Sequence, residues 1–317
     1  MDLVWLAAGL GLLVLGAEGL VRGGVGLARR LGVSPLLVGV TVVAWGTSTP
    51  ELVVSVEAAM KGLGGIAVGN IVGSNIANIL LILALAAVIS PIAVRPEAIR
   101  RDGAFVLGAA LLFIAIALST DRLTWWHGVL CLALLAATAV ITYLQERQGG
   151  TASGALHAAE AEEVQAVPLN PALAAAMVVG GIGLLVLGGD LMIGAAVNIA
   201  RAFGVSEVVI GLTLIAVGTS LPELVTSVIA AIRRHSDIAL GNILGSNIYN
   251  ILGILGVSSL IAPTAIPAEI ARTEMWVMLG ATALLAPAML TGRIGRGLGL
   301  AMLAAYAAYV ARLVAMA

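Results

Sequence analysis

Apolar residues fill the chain in long runs, and proline, glycine and arginine set the breaks between them. A helix needs about 20 mostly apolar residues to cross the hydrocarbon of a bilayer. Runs of that length predict ten spanning helices, near 3–28, 36–60, 66–89, 102–119, 124–144, 171–200, 207–232, 238–261, 273–290 and 297–315. Ser34-Pro35, Ser90-Pro91, Arg95-Pro96 and the stretch from Pro263 to Pro267 punctuate them, because proline ends a helix and restricts the residue before it. Trp125 and Trp126 open a span, where amphipathic rings settle at the membrane–water interface. The first run starts at Met1-Asp2 without a basic lead and is too long for a signal peptide's apolar core, so it reads as the first span.

The pattern repeats. GVTVVAWGTSTPELVVSVEAA begins at Gly39 and GLTLIAVGTSLPELVTSVIAA at Gly211, an offset of 211 − 39 = 172. IAVGNIVGSNIANIL at Ile66 matches IALGNILGSNIYNIL at Ile238, and 238 − 66 is again 172. From Gly39 to Leu80, 26 of 42 positions are identical without a gap, and GLLVLG recurs at Gly11 and Gly183. Five spans per half is an odd number, so the second copy enters the membrane from the opposite side. The expected fold is therefore all-α and integral to the membrane: two inverted five-helix repeats, residues 1–146 and 170–317, with broken core helices and a site at their interface near the bilayer midplane.

The connection 147–169 reads as a flexible, small and polar linker whose acidic patch, Glu160, Glu162 and Glu163, is a solvated surface. Arginine and lysine in the short loops set orientation. One side carries Arg29, Arg30, Arg95, Arg100, Arg101, Arg147, Arg233, Arg234, Arg293 and Arg296, the other Lys61, Arg122, Arg201, Arg272 and Arg312. The richer side, with the linker, is expected in the cytoplasm, and both termini outside a cell (inner or plasma) membrane.

Composition sharpens this picture without changing it. Of 317 residues, 61% are hydrophobic and 10% charged, against about 25% charged in soluble domains. The net charge of −1 names no partner, and no basic stripe points to nucleic acid. A single cysteine, Cys131, rules out a disulfide within the chain and reads as apolar filler. No cofactor and no obligate protein partner are indicated.

The chemistry lies in Gly-Thr-Ser-x-Pro-Glu, which each repeat carries in mid-span. Pro50 and Pro222 remove a backbone donor and clash with the preceding turn, and Gly46 and Gly218 loosen it. The helices should break there and free carbonyls near Ala44, Thr47, Ala216 and Thr219. Glu51 and Glu223 follow the breaks. A carboxylate at this depth is costly unless a cation or a proton compensates it. Thr47, Ser48, Thr219 and Ser220 add oxygens, a donor set for a hard cation: calcium takes about 6–8 oxygens, and the lack of nearby His or Cys disfavours softer metals. In the following helix Asn70, Ser74 and Asn78 share one face, and Asn242, Ser246 and Asn250 repeat it. These faces are expected to close the ring of oxygens, while Asn75 and Asn247 point elsewhere and pin helices. Each polar side chain alone has a packing explanation, and a glutamate alone can be a permanently protonated structural acid.

With these residues the chain resembles the calcium/cation antiporter superfamily in its sodium/calcium exchanger branch, over nearly its whole length. The resemblance implies that Glu51 and Glu223 bind calcium with the carbonyls of Thr47 and Thr219. It implies sodium sites at Ser48, Ser74, Ser220, Ser246, the carbonyls of Ala44 and Ala216, and the face of Asn78 and Asn250. It also implies that the first and sixth helices slide past the core to alternate access. One departure stands out: some exchangers have an aspartate at the place of Asn250. Two carboxylates balance one Ca2+ or two Na+, which speaks against a three-sodium cycle. The resemblance implies an aspartate in potassium-coupled relatives and an acid in the third and eighth helices of proton-coupled ones, so the neutral Asn78 and Asn250 speak against potassium coupling and weaken proton coupling.

Remaining polar residues have plainer readings. Glu18 lies four before Arg22, a local ion pair or a vestibule acid, with Asp190 its repeat equivalent; Glu57 faces Ile229 in the repeat and stands outside the site. His127 and His235 read as interfacial. The glycines of the first and sixth helices read as smooth sliding faces or as ordinary tight packing. The expected function is exchange of Ca2+ for Na+ by alternating access, with H+-coupled export of Ca2+ or another cation by the same glutamates as the alternative. A hydrolase would need a nucleophile–base pair or HExxH motif, and neither occurs; a passive channel fits the sealed repeat poorly.

Overall fold

The computed structural model describes residues 1–30, 44–93, 96–149, 170–232, 236–286 and 292–316. Helix α1 is Asp2–Arg30. A single turn at Ala44–Gly46 precedes α2, Thr49–Met60. Then come α3, Gly64–Ile89, α4, Pro96–Ser119, α5, Trp125–Gly149, and α6, Pro171–Phe203. The second copy of the motif lies on α7, Glu207–Thr219, and α8, Leu221–Ile232, followed by α9 over 236–261. Helix α10 joins Ile270–Glu274 to Met275–Ala283, and α11 is Arg296–Met316.

Local chemistry explains several boundaries. Asn170 caps α6 by accepting from the Ala172 N–H at 3.1 Å, with Pro171 next, where a helix needs no donor. Gly204 ends the same helix at φ 66, the left-handed conformation glycine adopts most easily. Ser206 caps α7 by accepting from Val209 N at 3.3 Å. Pro50 falls in the first turn of α2, so the proline that breaks one helix also starts the next.

Among the described residues, seven helices are long and apolar enough to cross a membrane, and the pair α7–α8, bent by 49°, makes an eighth. The remaining two of the ten expected spans, 36–60 and 273–290, run into residues 31–43 and 287–291, outside the described residues. The expected linker, apart from the last turn of α5, lies outside them as well.

The two motif-bearing helices α3 and α9 are central: 83% and 78% of their spans are buried, against 22% for α1, α5 and α11. The outer helices expose Leu3, Val179, Val186 and Leu300, the apolar surface a bilayer accepts. At the two ends of the bundle, two-residue strands β1 (Ile92–Ala93), β2 (Arg122–Leu123), β3 (Thr264–Ala265) and β4 (Arg293–Ile294) pair antiparallel as β1 with β4 and β2 with β3. Each pair joins a segment of the first half to one of the second. Short π-helical stretches interrupt α3 at Asn78–Leu83, α7 at Gly211–Ile215 and α9 at Tyr249–Ile254; such insertions cluster at functional sites.

Several of the glycines are used for tight packing. An added Cβ on Gly9 would lie 2.7 Å from the Gly188 carbonyl, on Gly16 2.8 Å from that of Gly181, and on Gly23 2.6 Å from that of Ala174. The residue numbers run in opposite directions, so α1 and α6 are antiparallel and meet along these glycines. Gly9, Gly16, Gly23, Gly181 and Gly188 hold the two long helices to each other. Small residues are used here for close backbone approach. Toward the core, Gly189 of α6 abuts Glu57 and Val53 of α2.

Candidate cation site

Each broken helix delivers its glutamate into the interior. Glu51 is 1% exposed and Glu223 fully buried. The prolines explain the breaks: Pro50 and Pro222 have no N–H for the carbonyls of Gly46 and Gly218, four residues back. Those glycines are also where the long helices press in. A Cβ on Gly46 would overlap Val21 of α1, and one on Gly218 would meet Met192 of α6 at 3.0 Å.

The two halves bond crosswise. Ser48 Oγ, from the first break, donates to Glu223 Oε1 at 2.7 Å, and Ser220 Oγ, from the second, donates to Glu51 Oε1 at 2.8 Å. Ser246 Oγ approaches the same Glu223 oxygen at 3.4 Å and stands 3.2 Å from Ser48 Oγ. Ser74 Oγ donates to the Ala216 carbonyl at 3.4 Å. That carbonyl also accepts the Ser220 N–H at 3.2 Å, so it is shared within its helix. Thr219 is tied down: its hydroxyl lies 3.1 Å from Asn70 Oδ1 and 3.1 Å from the Ile215 carbonyl. Ala44 opens the turn that leads to Thr47.

Several buried polar atoms in this region have no hydrogen-bond partner among the described residues: Glu51 Oε2, Glu223 Oε2, Thr47 Oγ1, Asn78 Oδ1, and both amide atoms of Asn250. An unpaired carboxylate oxygen in a dry interior is expensive. The set of atoms is oxygen-rich, with one free carboxylate oxygen from each half.

The structure assigns other duties to two residues that the face pattern placed in the ring. Asn70 Nδ2 donates to the Glu51 carbonyl at 3.2 Å and to Ser55 Oγ at 2.9 Å; Asn242 does the same to the Glu223 carbonyl at 3.3 Å and Ser227 Oγ at 3.0 Å. These asparagines splint the chain just after each glutamate. Ser55 and Ser227 were missed by sequence reasoning, although their identity across the repeat was a usable signal. Also missed was the ion pair between Lys61 and Asp190, 2.6 Å, which links α2 to α6. Glu18 pairs with Arg22 on its own helix, as its spacing predicts. His127, read as interfacial, is buried at the start of α5, with Nδ1 accepting the Thr124 N–H at 3.1 Å. His235 lies outside the described residues.

Comparison with known proteins decides the family. The model of the family described as sodium/calcium exchanger protein matches residues 1–144 and 173–315. The chain belongs to the sodium/calcium exchanger family. Its branch of the calcium/cation antiporter superfamily is that of multi-pass antiporters. Among relatives of this exchanger, the protein CaxA of Alkalimonas amylolytica is 40% identical over 278 residues, 88% of this chain and 86% of that one. The sodium/calcium exchanger MaX1 of Methanosarcina acetivorans is 32% identical over 302 residues, 82% and 83% of the two chains. A solved structure of the sodium-calcium exchanger NCX_Mj, soaked with Na+ and Sr2+, superimposes with a TM-score of 0.60 at 33% identity, covering 98% of this chain and 97% of that one.

Proposed function

We propose that this antiporter exchanges Ca2+ for Na+ by alternating access, and that Glu51 and Glu223 hold the transported cation between them. The observation that carries this reading is the crosswise pairing: each glutamate is bonded by a serine of the opposite half through one oxygen and offers the other. A cation between the free oxygens takes two carboxylate ligands, with Thr47, Ser48, Thr219, Ser220, the carbonyls around Ala44 and Ala216, and the serines and asparagines Ser74, Ser246, Asn78 and Asn250 as the surrounding donors. Calcium suits such a set because it accepts many oxygens in loose geometry. Sodium, equally hard, competes for it.

Competition at one buried pair of charges produces antiport. Empty, the site holds two carboxylates whose passage past the apolar barrier is costly. Loaded with one Ca2+ or two Na+, it is close to neutral and crosses. In this reading the two halves are inverted repeats of five spans, the arginine-rich loops and the linker face the cytoplasm, both termini lie outside, and the paired helices α1 and α6 move against the core. The relatives' printed names, exchangers of sodium and calcium, favour sodium as the coupling ion.

The test is calcium uptake by purified protein in liposomes, driven by an imposed sodium gradient or, separately, a pH gradient. Sodium-driven uptake in the parent and its loss in both Glu51→Gln and Glu223→Gln are expected. Uptake that follows only the pH gradient would move the assignment to proton coupling; undiminished uptake in both variants would end it.

A further inference from the structure

Four asparagines sit in the middle of the bundle, one pair on α3 and one on α9. Asn75, Asn78, Asn247 and Asn250 are each at most 1% exposed. Asn78 and Asn250 belong to the donor set above. Asn75 and Asn247 do not, and what they do follows from which way their amides must point.

An asparagine amide has an accepting and a donating end, and its neighbours decide between the two orientations. The order starts from a backbone carbonyl, which can only accept. The carbonyl of Asn75 lies 3.5 Å from Asn247 Nδ2. That turns Asn247 Oδ1 the other way, where it accepts from Asn78 Nδ2 at 2.9 Å. Asn78 thus has its donor committed, and its Oδ1 is left buried without a partner. A cation is attracted by the oxygen end of an amide and repelled by the NH2 end. The chain Asn75 carbonyl, Asn247, Asn78 therefore presents Asn78 to a cation in the useful orientation. Asn78 also begins the π-helical stretch of α3, and the added residue there turns the following side chains relative to the regular helix.

The repeat supplies the second observation. Shifting by 172 turns the Asn78–Asn247 bond into one between Asn250 (78 + 172) and Asn75 (247 − 172). In the structure that mirror bond is not made. Its two members account for three of the unpartnered buried atoms: Asn250 Nδ2, Asn250 Oδ1 and Asn75 Oδ1. Asn75 instead spends its Nδ2 on the Ile71 carbonyl of its own helix at 2.8 Å. Two equivalent clamps exist in the sequence, and one is closed.

We infer that Asn247 and Asn75 are positioning residues for the transported cation: Asn247 clamps the amide of Asn78 so that its oxygen faces the ion, and Asn75, whose clamp is open in this structure, closes on Asn250 in the same way when the site is loaded. They act through those ligands without touching the cargo. This rests on the proposed function of the site and adds to it residues that set affinity from behind. Two Na+ take the place of one Ca2+ at the same two carboxylates, so each sodium ion draws more of its oxygens from neutral groups such as Asn78 and Asn250. The clamps therefore tune sodium affinity more than calcium affinity.

The test uses the full chain in liposomes, measuring half-saturating Na+ and half-saturating Ca2+ separately for sodium-driven calcium exchange. Asn247→Leu keeps the volume and cannot hold the Asn78 amide. It is expected to raise half-saturating Na+ roughly 10–100-fold, the range for losing a residue that orients a ligand, while half-saturating Ca2+ changes less than about threefold on the same scale. Elution as one symmetric peak in detergent shows that each variant is folded. If Asn247→Leu does not fold, Asn247→Ser, which is too short to reach, takes its place with the same expectation. Equal changes for both ions, or none for either, in folded protein would overturn the inference. Absence of any sodium-driven flux in the parent would overturn instead the function on which it rests, so the two failures are distinct.

Discussion

At the scale of single residues, the account depends on how two buried carboxylates are satisfied. Each is bonded through one oxygen to a serine from the other half, and a hydrogen bond to a charged group contributes about 1.5–3 kcal/mol. Ser220→Ala strands a carboxylate oxygen of Glu51, and Ser48→Ala leaves that of Glu223 with only the longer approach of Ser246; both are expected to weaken apparent calcium affinity, Ser220→Ala by roughly 10–100-fold, read from the half-saturating concentration in exchange. An unchanged value would mean that these serines do not hold the glutamates in the working protein. Much of this was legible in the sequence. The doubled Gly-Thr-Ser-x-Pro-Glu pointed to the breaks and to the acids, because proline and a mid-span carboxylate each have few physical excuses in a membrane. What sequence could not give was partner choice. That Ser48 bonds Glu223 and not Glu51, or that Asn70 splints a backbone carbonyl instead of facing the ring, depends on which helices lie side by side, and spacing along one helix carries no such information.

At the scale of elements, the two long glycine-rich helices form one unit. The sequence showed the stripes of small residues but not their target, since close approach to a partner helix and a smooth sliding surface require the same residues. The contacts decide for the α1–α6 seam. Substitution there overpacks backbone against backbone, with a cost of at least about 1–3 kcal/mol. Gly16→Leu and Gly188→Leu are expected to lower the thermal midpoint of the protein in detergent by several degrees on that account. Gly11→Leu on the open face of α1, where nothing described lies within 4 Å, is expected to leave it unchanged. Equal effects at all three positions would contradict the seam. The π-helical stretches in α3 and α9 were invisible to periodicity, because one inserted residue shifts an apolar pattern that is apolar all round.

At the scale of the whole molecule, the α1–α6 pair touches the core through contacts that can be exchanged. Lys61 and Asp190 join α2 to α6 by an exposed ion pair, a type of contact contributing only about 0–1 kcal/mol, and Gly189 rests on Glu57 beside it. Lys61→Cys with Asp190→Cys, in a Cys131→Ala background, is expected to be bridged by a short bifunctional methanethiosulfonate, which spans the reach of the lost lysine side chain, to stop exchange, and to recover on reduction. Undiminished exchange by cross-linked protein would show that α6 and α2 keep this contact throughout the cycle. The repeat of 172 residues was visible in the sequence, whereas the strand pairings β1–β4 and β2–β3 left no signal, being two residues long.

The central claim is that one ion is shared by Glu51 and Glu223. Crystals grown with Ca2+, measured for anomalous scattering with and without added Na+, test it most directly. The account predicts a calcium peak within bonding distance, about 2.3–2.6 Å, of a carboxylate oxygen from each glutamate, weakened or lost as sodium is raised. A calcium peak elsewhere, or one bound by a single glutamate and indifferent to sodium, would contradict it.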